Sequence, residues 1–237
     1  MEKRIAIIGA IKDEIAGIKK EMRITNTLRW PTGNAFAGTW RGVPIVLVRS
    51  GMGCDRARRA LAEIAGKYTL KRIISIGYAG ALDPSLKVGD VVVADQVVYY
   101  ETLKSYSLDG ELLGTMPEVA RGTLLTVDQV VATPPEKKAL REKYSAVAVD
   151  METFALAEET QARNLPFASV RAITDTADQE LIDCGHLVEA DGEVSKLKAG
   201  WHVLTHPGDL KGMIDLGKHA KLATANLTGF LKKYLKK

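Results

Sequence analysis

The segment RIAIIGAIKDEIAGIKKEM, from Arg4 to Met22, passes directly from a short apolar run into a helical pattern. The run up to Ala10 predicts a buried strand, because apolar residues follow one another without a polar face. Further runs of this kind, RIISIGYAG, AVAV and FASVRAITD, alternate with helical segments along the chain. This alternation predicts an α/β fold with three layers, α/β/α, around a central mixed, mostly parallel twisted sheet.

The 237-residue chain has the composition of an ordinary soluble globular protein, with 46% hydrophobic and 26% charged residues. We expect a single domain over residues 1–237. We also expect it to be cytoplasmic, since no segment resembles a signal peptide or is long and apolar enough to span a bilayer. The net charge of +4 combines 33 basic with 29 acidic residues and does not predict a nucleic-acid partner.

The cysteines and histidines do not have the spacing of a metal site. Cys54 and Cys184 lie far apart in the sequence. His202 and His206 are four residues apart, but Pro207 argues against a helix that would present both. We therefore predict no metal and no cofactor.

Acidic residues and glycines follow the ends of the predicted strands. In an open α/β sheet, ligands bind beyond the carboxyl ends of the strands, so these positions are the candidates for a site. They are Asp13 and Glu14, Gly51 to Gly53, Gly77 to Gly80, Asp150 to Glu152, and Asp175 with Asp178. We expect GMG and GYAG to form turns, and all five groups to meet at one edge of the sheet.

Each acidic residue also has a structural interpretation. Asp150 is suited to cap a helix, and Glu152 would then interact favourably with the helix dipole. Glu14 fits the solvated side of a helix, and Asp175 fits a cap. The loop SGMGCDRARRA lacks the third glycine of a dinucleotide-binding motif, although a glycine turn before a helix suits an anion or a sugar hydroxyl.

The chain resembles the purine nucleoside phosphorylase and nucleosidase family in four segments that have the family's order and spacing. They are IAIIGAIKDEI, SGMGCDRARRA, IISIGYAGALDPSLKVGDVVVAD and VAVDMETFALAEETQARNLPFASVRAITDTAD. The similarity covers Arg4 to Asp178 and is greatest to the methylthioadenosine/S-adenosylhomocysteine nucleosidases. The stretch HPGDLKGMIDLGKHAK is similar to hopanoid-associated phosphorylases of the same family. The resemblance implies a nucleoside phosphorylase-like fold. It also implies an enzyme that cleaves the N-glycosidic bond of an adenosine derivative.

The resemblance also implies roles for individual residues. Glu152 would bind the ribose hydroxyls, and Met151 would pack against the sugar. Asp175 would protonate the purine at N7, and Glu14 would orient or deprotonate the nucleophilic water. The remaining implied substrate-binding positions are Gly51, Gly53, Gly77, Tyr78, Ala79 and Gly80 near the nucleophile, and Val130 and Val131 beside the base.

The nucleophile is water or phosphate, and the sequence favours water. Glu14 would repel phosphate, whereas Arg49 and Arg56 flank the SGMG loop as possible phosphate-binding residues. Tyr78 stands where the nucleosidases have a small residue, and Val130 stands where they have an aromatic one. Both differences affect which substrate is expected rather than which reaction. A phosphorylase acting on adenosylhopane and a nucleoside-binding protein without activity remain the alternatives.

The C-terminal segment is predicted to form an amphipathic helix. Its apolar residues at helical spacing are Leu216, Ala223, Leu227, Phe230 and Tyr234. Packing on the sheet explains this pattern, and contact with a membrane surface is the alternative. The polar stretch from Leu181 to Gly212 is expected to form a lid or a flexible excursion. By resemblance we expect a homo-oligomer, a dimer.

Overall fold

The structure, a computed structural model, describes residues 2–113, 119–181 and 210–235. Its strands are β1 Arg4–Gly9, β2 Arg23–Trp30, β3 Gly33–Trp40, β4 Val43–Arg49, β5 Leu70–Ala81, β6 Val91–Tyr99, β7 Ser105–Ser107, β8 Ala120–Thr126, β9 Ala148–Asp150 and β10 Phe167–Asp175. Its helices are α1 Lys12–Glu21, α2 Cys54–Ala65, α3 Pro134–Tyr144, α4 Thr153–Ala162 and α5 Leu210–Tyr234.

The ten strands form one mixed sheet. The strands β4, β1, β5 and β10 are parallel neighbours in that order. On one side β3 and β2 continue the sheet in antiparallel fashion. On the other side β10 pairs antiparallel with β6, which is followed by β8 and β9 in parallel. The short strand β9 then returns to pair with the end of β5.

Gly80 is the point at which two distant strands meet. It pairs with Asp175 of β10 on one side and with Val149 of β9 on the other. The last residues of β9 and β10 are therefore brought to the end of β5 from both sides. This arrangement gathers the polar residues that follow the strands.

Helices cover both faces of the sheet, as alternation along β1 shows. Ile5 and Ile7 belong to a core cluster with residues of α1 and α5. Ala6 and Ile8 point to the opposite face and join a cluster with residues of α2 and α4. Because successive side chains of a strand alternate between faces, a strand buried on both sides is apolar throughout. The predicted α/β/α class with a mixed sheet is confirmed.

Several local predictions need correction. GYAG is not a turn: it lies within β5, which continues to Ala81. The antiparallel strand β2 was not predicted. The run GTLLTVDQVV predicts one strand, whereas β8 ends at Thr126 and Val130 and Val131 lie in the loop after it. The lid predicted for the stretch after Leu181 lies, over residues 182–209, outside the described residues.

The apolar side of α5 packs on the sheet. Ala223, Leu227 and Phe230 are buried in the cluster that includes α1, and Tyr234 packs against it. Since this side is covered by the protein itself, packing explains the amphipathic pattern. Among the described residues, no helix is long and apolar enough to cross a membrane.

Candidate active site

A cavity opens where β1, β4, β5, β8, β9 and β10 end. Its lining comes from the ends of these strands, from the loops after them, from α1 and from α5. The lining residues are Ala10, Ile11, Glu14, Met52, Tyr78, Ala79, Gly80, Val127, Gln129, Val130, Val131, Val149, Asp150, Met151, Glu152, Thr174, Asp175, Leu181 and Leu216.

Glu14 is held by three backbone N–H groups. Its Oε2 accepts hydrogen bonds from Ala10 at 2.6 Å and from Ile11 at 3.1 Å, and its Oε1 accepts one from Tyr78 at 2.9 Å. Burial raises the pKa of Glu14, and the hydrogen bonds from Tyr78 and Ile11 oppose this rise. A Cβ at Gly77 would lie 2.8 Å from Oε1, so the glycine leaves room for the carboxylate.

Glu152 is fixed by the SGMG loop. The N–H of Gly53, where φ is +94°, donates to Glu152 Oε1 at 2.7 Å. The side chain is partly accessible through the cavity yet lies deep in the protein. Burial, followed by the nearby charges of Asp150 and Glu14, raises the pKa of Glu152 to about 8. Burial therefore favours the protonated form of Glu152.

Asp150 belongs to a buried network with Arg171. Its Oδ2 accepts from Arg171 Nε at 2.9 Å and Nη2 at 2.7 Å, and from the Thr153 N–H at 3.1 Å. Its Oδ1 accepts from the Thr126 hydroxyl at 2.7 Å. Arg171 Nη2 also donates to the Ser75 hydroxyl at 2.8 Å. These bonds tie β5, β8, β9, β10 and the start of α4 together, in keeping with the structural role expected for Asp150.

Asp175 forms a buried ion pair that the sequence analysis did not anticipate. Lys137 Nζ donates to Asp175 Oδ2 at 2.7 Å, and the two side chains are 0% and 6% exposed. The Thr174 hydroxyl donates to Oδ1 at 2.9 Å. A Cβ at Gly80 would lie 2.9 Å from Oδ2, so this glycine also makes room for a carboxylate.

Tyr78 connects the cavity wall to α5. Its hydroxyl lies within hydrogen-bonding distance of the Thr224 hydroxyl, at 2.6 Å, and of the Ala220 carbonyl, at 3.3 Å. Leu216 of the same helix lines the cavity. Tyr78 therefore forms part of a cavity wall that is shared with α5.

The structure brings most of the predicted site residues together, but not all. Those that line the cavity are Glu14, Tyr78, Ala79, Gly80, Val130, Val131, Met151, Glu152 and Asp175. Gly53 and Gly77 do not line the cavity but contact residues that do: Gly53 contacts Glu152, and Gly77 contacts Glu14. Met52 lines the cavity in place of its neighbour Gly51, whose N–H donates to the Ala10 carbonyl at 2.9 Å.

The two arginines proposed for phosphate are outside the cavity lining. Neither Arg49 nor Arg56 is among the described lining residues. Arg56 Nη1 instead donates to the Met52 carbonyl at 3.5 Å, in a long hydrogen bond. Their position does not support a phosphate-binding role.

Sequence reasoning missed Lys137, Arg171 and Gln129, and it named Met52 only within the group Gly51 to Gly53 and Leu216 only as an apolar residue of the C-terminal helix. A signal existed for Arg171, because a charged residue in the middle of the apolar strand FASVRAITD requires a buried partner. No such signal existed for Lys137, which is one of two adjacent lysines in a polar helix. The positions of Met52, Gln129 and Leu216 depend on how distant segments meet.

The fold and the cavity define a class of protein: α/β proteins with a cavity at the strand ends of a mixed sheet and carboxyl groups in its lining. The model of the phosphorylase superfamily matches residues 4–199. The chain therefore belongs to the phosphorylase superfamily, and the predicted resemblance is confirmed.

Individual relatives agree with this assignment. The chain is 29% identical over 197 residues to a 5′-methylthioadenosine/S-adenosylhomocysteine nucleosidase of Staphylococcus haemolyticus, covering 73% of this chain and 86% of the relative. The nucleosidase of Neisseria meningitidis, solved with methylthio-immucillin-A, superposes with a TM-score of 0.77 at 23% identity over 99% of both chains. Futalosine hydrolase of Helicobacter pylori superposes with a TM-score of 0.76 at 18% identity. The superposition covers 99% of this chain and 97% of the hydrolase chain. The two solved structures establish the similarity of fold.

Proposed function

We propose that the protein hydrolyses the N-glycosidic bond of an adenine nucleoside. The observation that carries this proposal is the meeting of three carboxyl groups, Glu14, Glu152 and Asp175, around one cavity. Cleavage of a glycosidic bond passes through a sugar with oxocarbenium character, which carboxyl groups stabilise. The reaction also needs a proton for the leaving group and an activated nucleophile.

Each carboxyl group has a position that suits one task. Glu152 binds the ribose hydroxyls, held in place by the Gly53 N–H, and Met151 packs against the sugar. Glu14 activates water, since burial brings its proton affinity closer to that of a base useful near neutral pH. Asp175 faces the purine and protonates it at N7.

Water is favoured over phosphate as the nucleophile by the contacts of Glu14. Backbone N–H groups at a helix N-terminus bind anions well. Here the N–H groups of Ala10, Ile11 and Tyr78 are engaged by the carboxylate of Glu14. A phosphate at this place would displace them from Glu14 and face its negative charge.

The substrate class follows from the relatives. The similar nucleosidases act on 5′-methylthioadenosine and S-adenosylhomocysteine according to their names, and another relative is a futalosine hydrolase. We propose the first two compounds as substrates. Val130 and Val131 flank the base, where side chains without a π-face pack on it by dispersion.

Three further expectations remain proposals. All described strands join one sheet, which supports a single domain over residues 1–237. Val130 is 65% exposed although it lines the cavity, and an apolar side chain at this place suits coverage by a second subunit of a dimer. The cytoplasmic location stays a prediction.

The test is the release of free base from methylthioadenosine, adenosylhomocysteine, adenosine, inosine and adenosylhopane, with and without phosphate. We expect release from the first two compounds without phosphate. Strict dependence on phosphate would indicate a phosphorylase. Nucleoside binding without release from any substrate would indicate a binding protein.

A further inference from the structure

Lys137 is a buried cation with three acceptors. Its Nζ donates to Asp175 Oδ2 at 2.7 Å, to the Thr176 carbonyl at 2.8 Å and to the Gln179 carbonyl at 2.9 Å. An ammonium group has three hydrogens, so every one of them is used. Lysine is almost never fully buried without a partner, because removing its charge from water is costly. The 0% exposure of this side chain therefore identifies a specific contact with Asp175.

The start of α3 sets the direction of Lys137. Thr133 caps the helix, accepting from the Glu136 N–H, and the Glu136 carboxylate accepts from the Thr133 N–H at 3.1 Å. This box fixes the first turn, and the fourth residue of the helix points to the end of β10. The adjacent Lys138 points to solvent, with 78% of its side chain exposed. Two chemically identical neighbours thus differ completely in environment.

We propose that Lys137 is a positioning residue for the leaving-group acid, so that the Lys137–Asp175 pair as a unit supplies the proton that the purine takes. This inference rests on the proposed function and extends it. An isolated carboxylic acid would carry its own proton. In the Lys137–Asp175 pair, Nζ and Oδ2 are 2.7 Å apart, and the ammonium and the carboxylate together hold one transferable proton.

The proton balance of the step closes with water alone. The C1′–N9 bond breaks and its electron pair goes to the purine ring, while N7 takes a proton from Asp175. That proton reaches Asp175 from the ammonium of Lys137, so Asp175 ends the step as a carboxylate and Lys137 as an amine that still donates to the Thr176 and Gln179 carbonyls. Water adds to C1′ and gives its proton to Glu14. Solvent then carries one proton from Glu14 back to Lys137.

A purely structural role for Lys137 makes a different prediction. If the lysine only anchored the segment after β10, its loss would slow all substrates alike. If the lysine serves the leaving group, its loss slows only those substrates whose leaving group must be protonated. In 4-nitrophenyl β-D-ribofuranoside the leaving phenolate needs no proton, so this substrate separates the two roles.

The experiment compares Lys137→Met with wild type on methylthioadenosine and on the nitrophenyl riboside. We expect kcat for methylthioadenosine to fall by about 100-fold or more, the range of general acid catalysis, and kcat for the riboside to change by less than about 3-fold. Lys137→Arg, which keeps the charge, recovers part of the lost rate. Lys138→Met is the matched control and retains wild-type rates. Equal losses on both substrates, or no loss on methylthioadenosine, would overturn the proposal.

A double-mutant cycle tests the same proposal with methylthioadenosine as the single substrate. It applies if Lys137→Met does not fold or if the nitrophenyl riboside is not cleaved. The cycle compares Asp175→Asn, in which the Lys137 ammonium keeps only its two carbonyl acceptors, with Lys137→Met/Asp175→Asn, in which both charges of the buried pair are removed. We expect the two variants to have the same residual rate within about 3-fold, because residues that act as a unit are non-additive. A further loss of about 10-fold or more on removing the lysine would refute the proposal. An inactive wild type would instead refute the proposed function.

Discussion

The stability of the protein is expected to depend on pH through Glu152. Burial and the charges of Asp150 and Glu14 raise the pKa of Glu152 from an ordinary value of 4.5 to about 8. In this interval the folded protein holds a proton that the unfolded chain has lost. Stability therefore falls as pH rises from about 4.5 to about 8. The substitution Glu152→Gln introduces an uncharged side chain of the same shape and removes this contribution to the pH dependence of stability.

The magnitude follows from linkage. One pKa unit corresponds to about 1.4 kcal/mol, so between about pH 5 and about pH 8.5 Glu152 lowers the free energy of unfolding by about 2 to 4 kcal/mol. The glutamine oxygen can still accept from the Gly53 N–H. We therefore expect Glu152→Gln to match wild type near pH 5 and to be more stable near pH 8.5 by that amount.

Urea unfolding followed by tryptophan fluorescence, repeated across this pH range, measures the difference. Groups that do not interact with Glu152 affect both proteins alike, so the difference between the two curves reports Glu152 together with the Asp150 and Glu14 charges that act on it. Glu142→Gln is the control, because the carboxylate of Glu142 on α3 is 68% exposed. A difference that does not change with pH, or one that favours wild type as pH rises, would refute the reasoning.

Three further predictions concern the groups around the cavity. Glu14→Gln lowers kcat by about 100-fold or more, since the amide cannot take a proton from water, while binding of methylthio-immucillin-A persists in calorimetry. Gly80→Ala places a Cβ 2.9 Å from Asp175 Oδ2 and lowers kcat by about 10- to 100-fold in steady-state assays by shifting that carboxylate. Arg171→Met leaves the charge of Asp150 buried without its partner and lowers the free energy of unfolding by about 3 to 5 kcal/mol in urea titrations.

Each of these variants has its own control or contrary result. For Gly80→Ala the control is Gly217→Ala on α5, where an added Cβ meets no atom within 4 Å. Loss of inhibitor binding in Glu14→Gln would mean that the carboxylate supports the site rather than the nucleophile. An Arg171→Met protein as stable as wild type would show that Asp150 does not depend on the arginine charge.

The sequence predicted the layers of the fold because they depend on local patterns. A strand such as Arg4–Gly9 is apolar on both faces, and this requires helices on both sides of it. The same reasoning placed Glu14 and Asp175 at the edge of the sheet, since each follows or ends a strand. It failed for GYAG, because glycines usually mark turns. Here they permit close approach of carboxylates to a continuing strand.

The sequence by itself thus determined the fold class and the edge at which the acids collect, because these follow from periodicity and from the positions of the strand ends, and the resemblance of its motifs indicated the superfamily. The tertiary structure alone decided which groups surround each acid. Lys137 and Lys138 are equivalent in the sequence, and a rotation of about 100° per residue of the helix buries one beside Asp175 and exposes the other. Such contacts join segments tens of residues apart, and their geometry exists only once the sheet has formed.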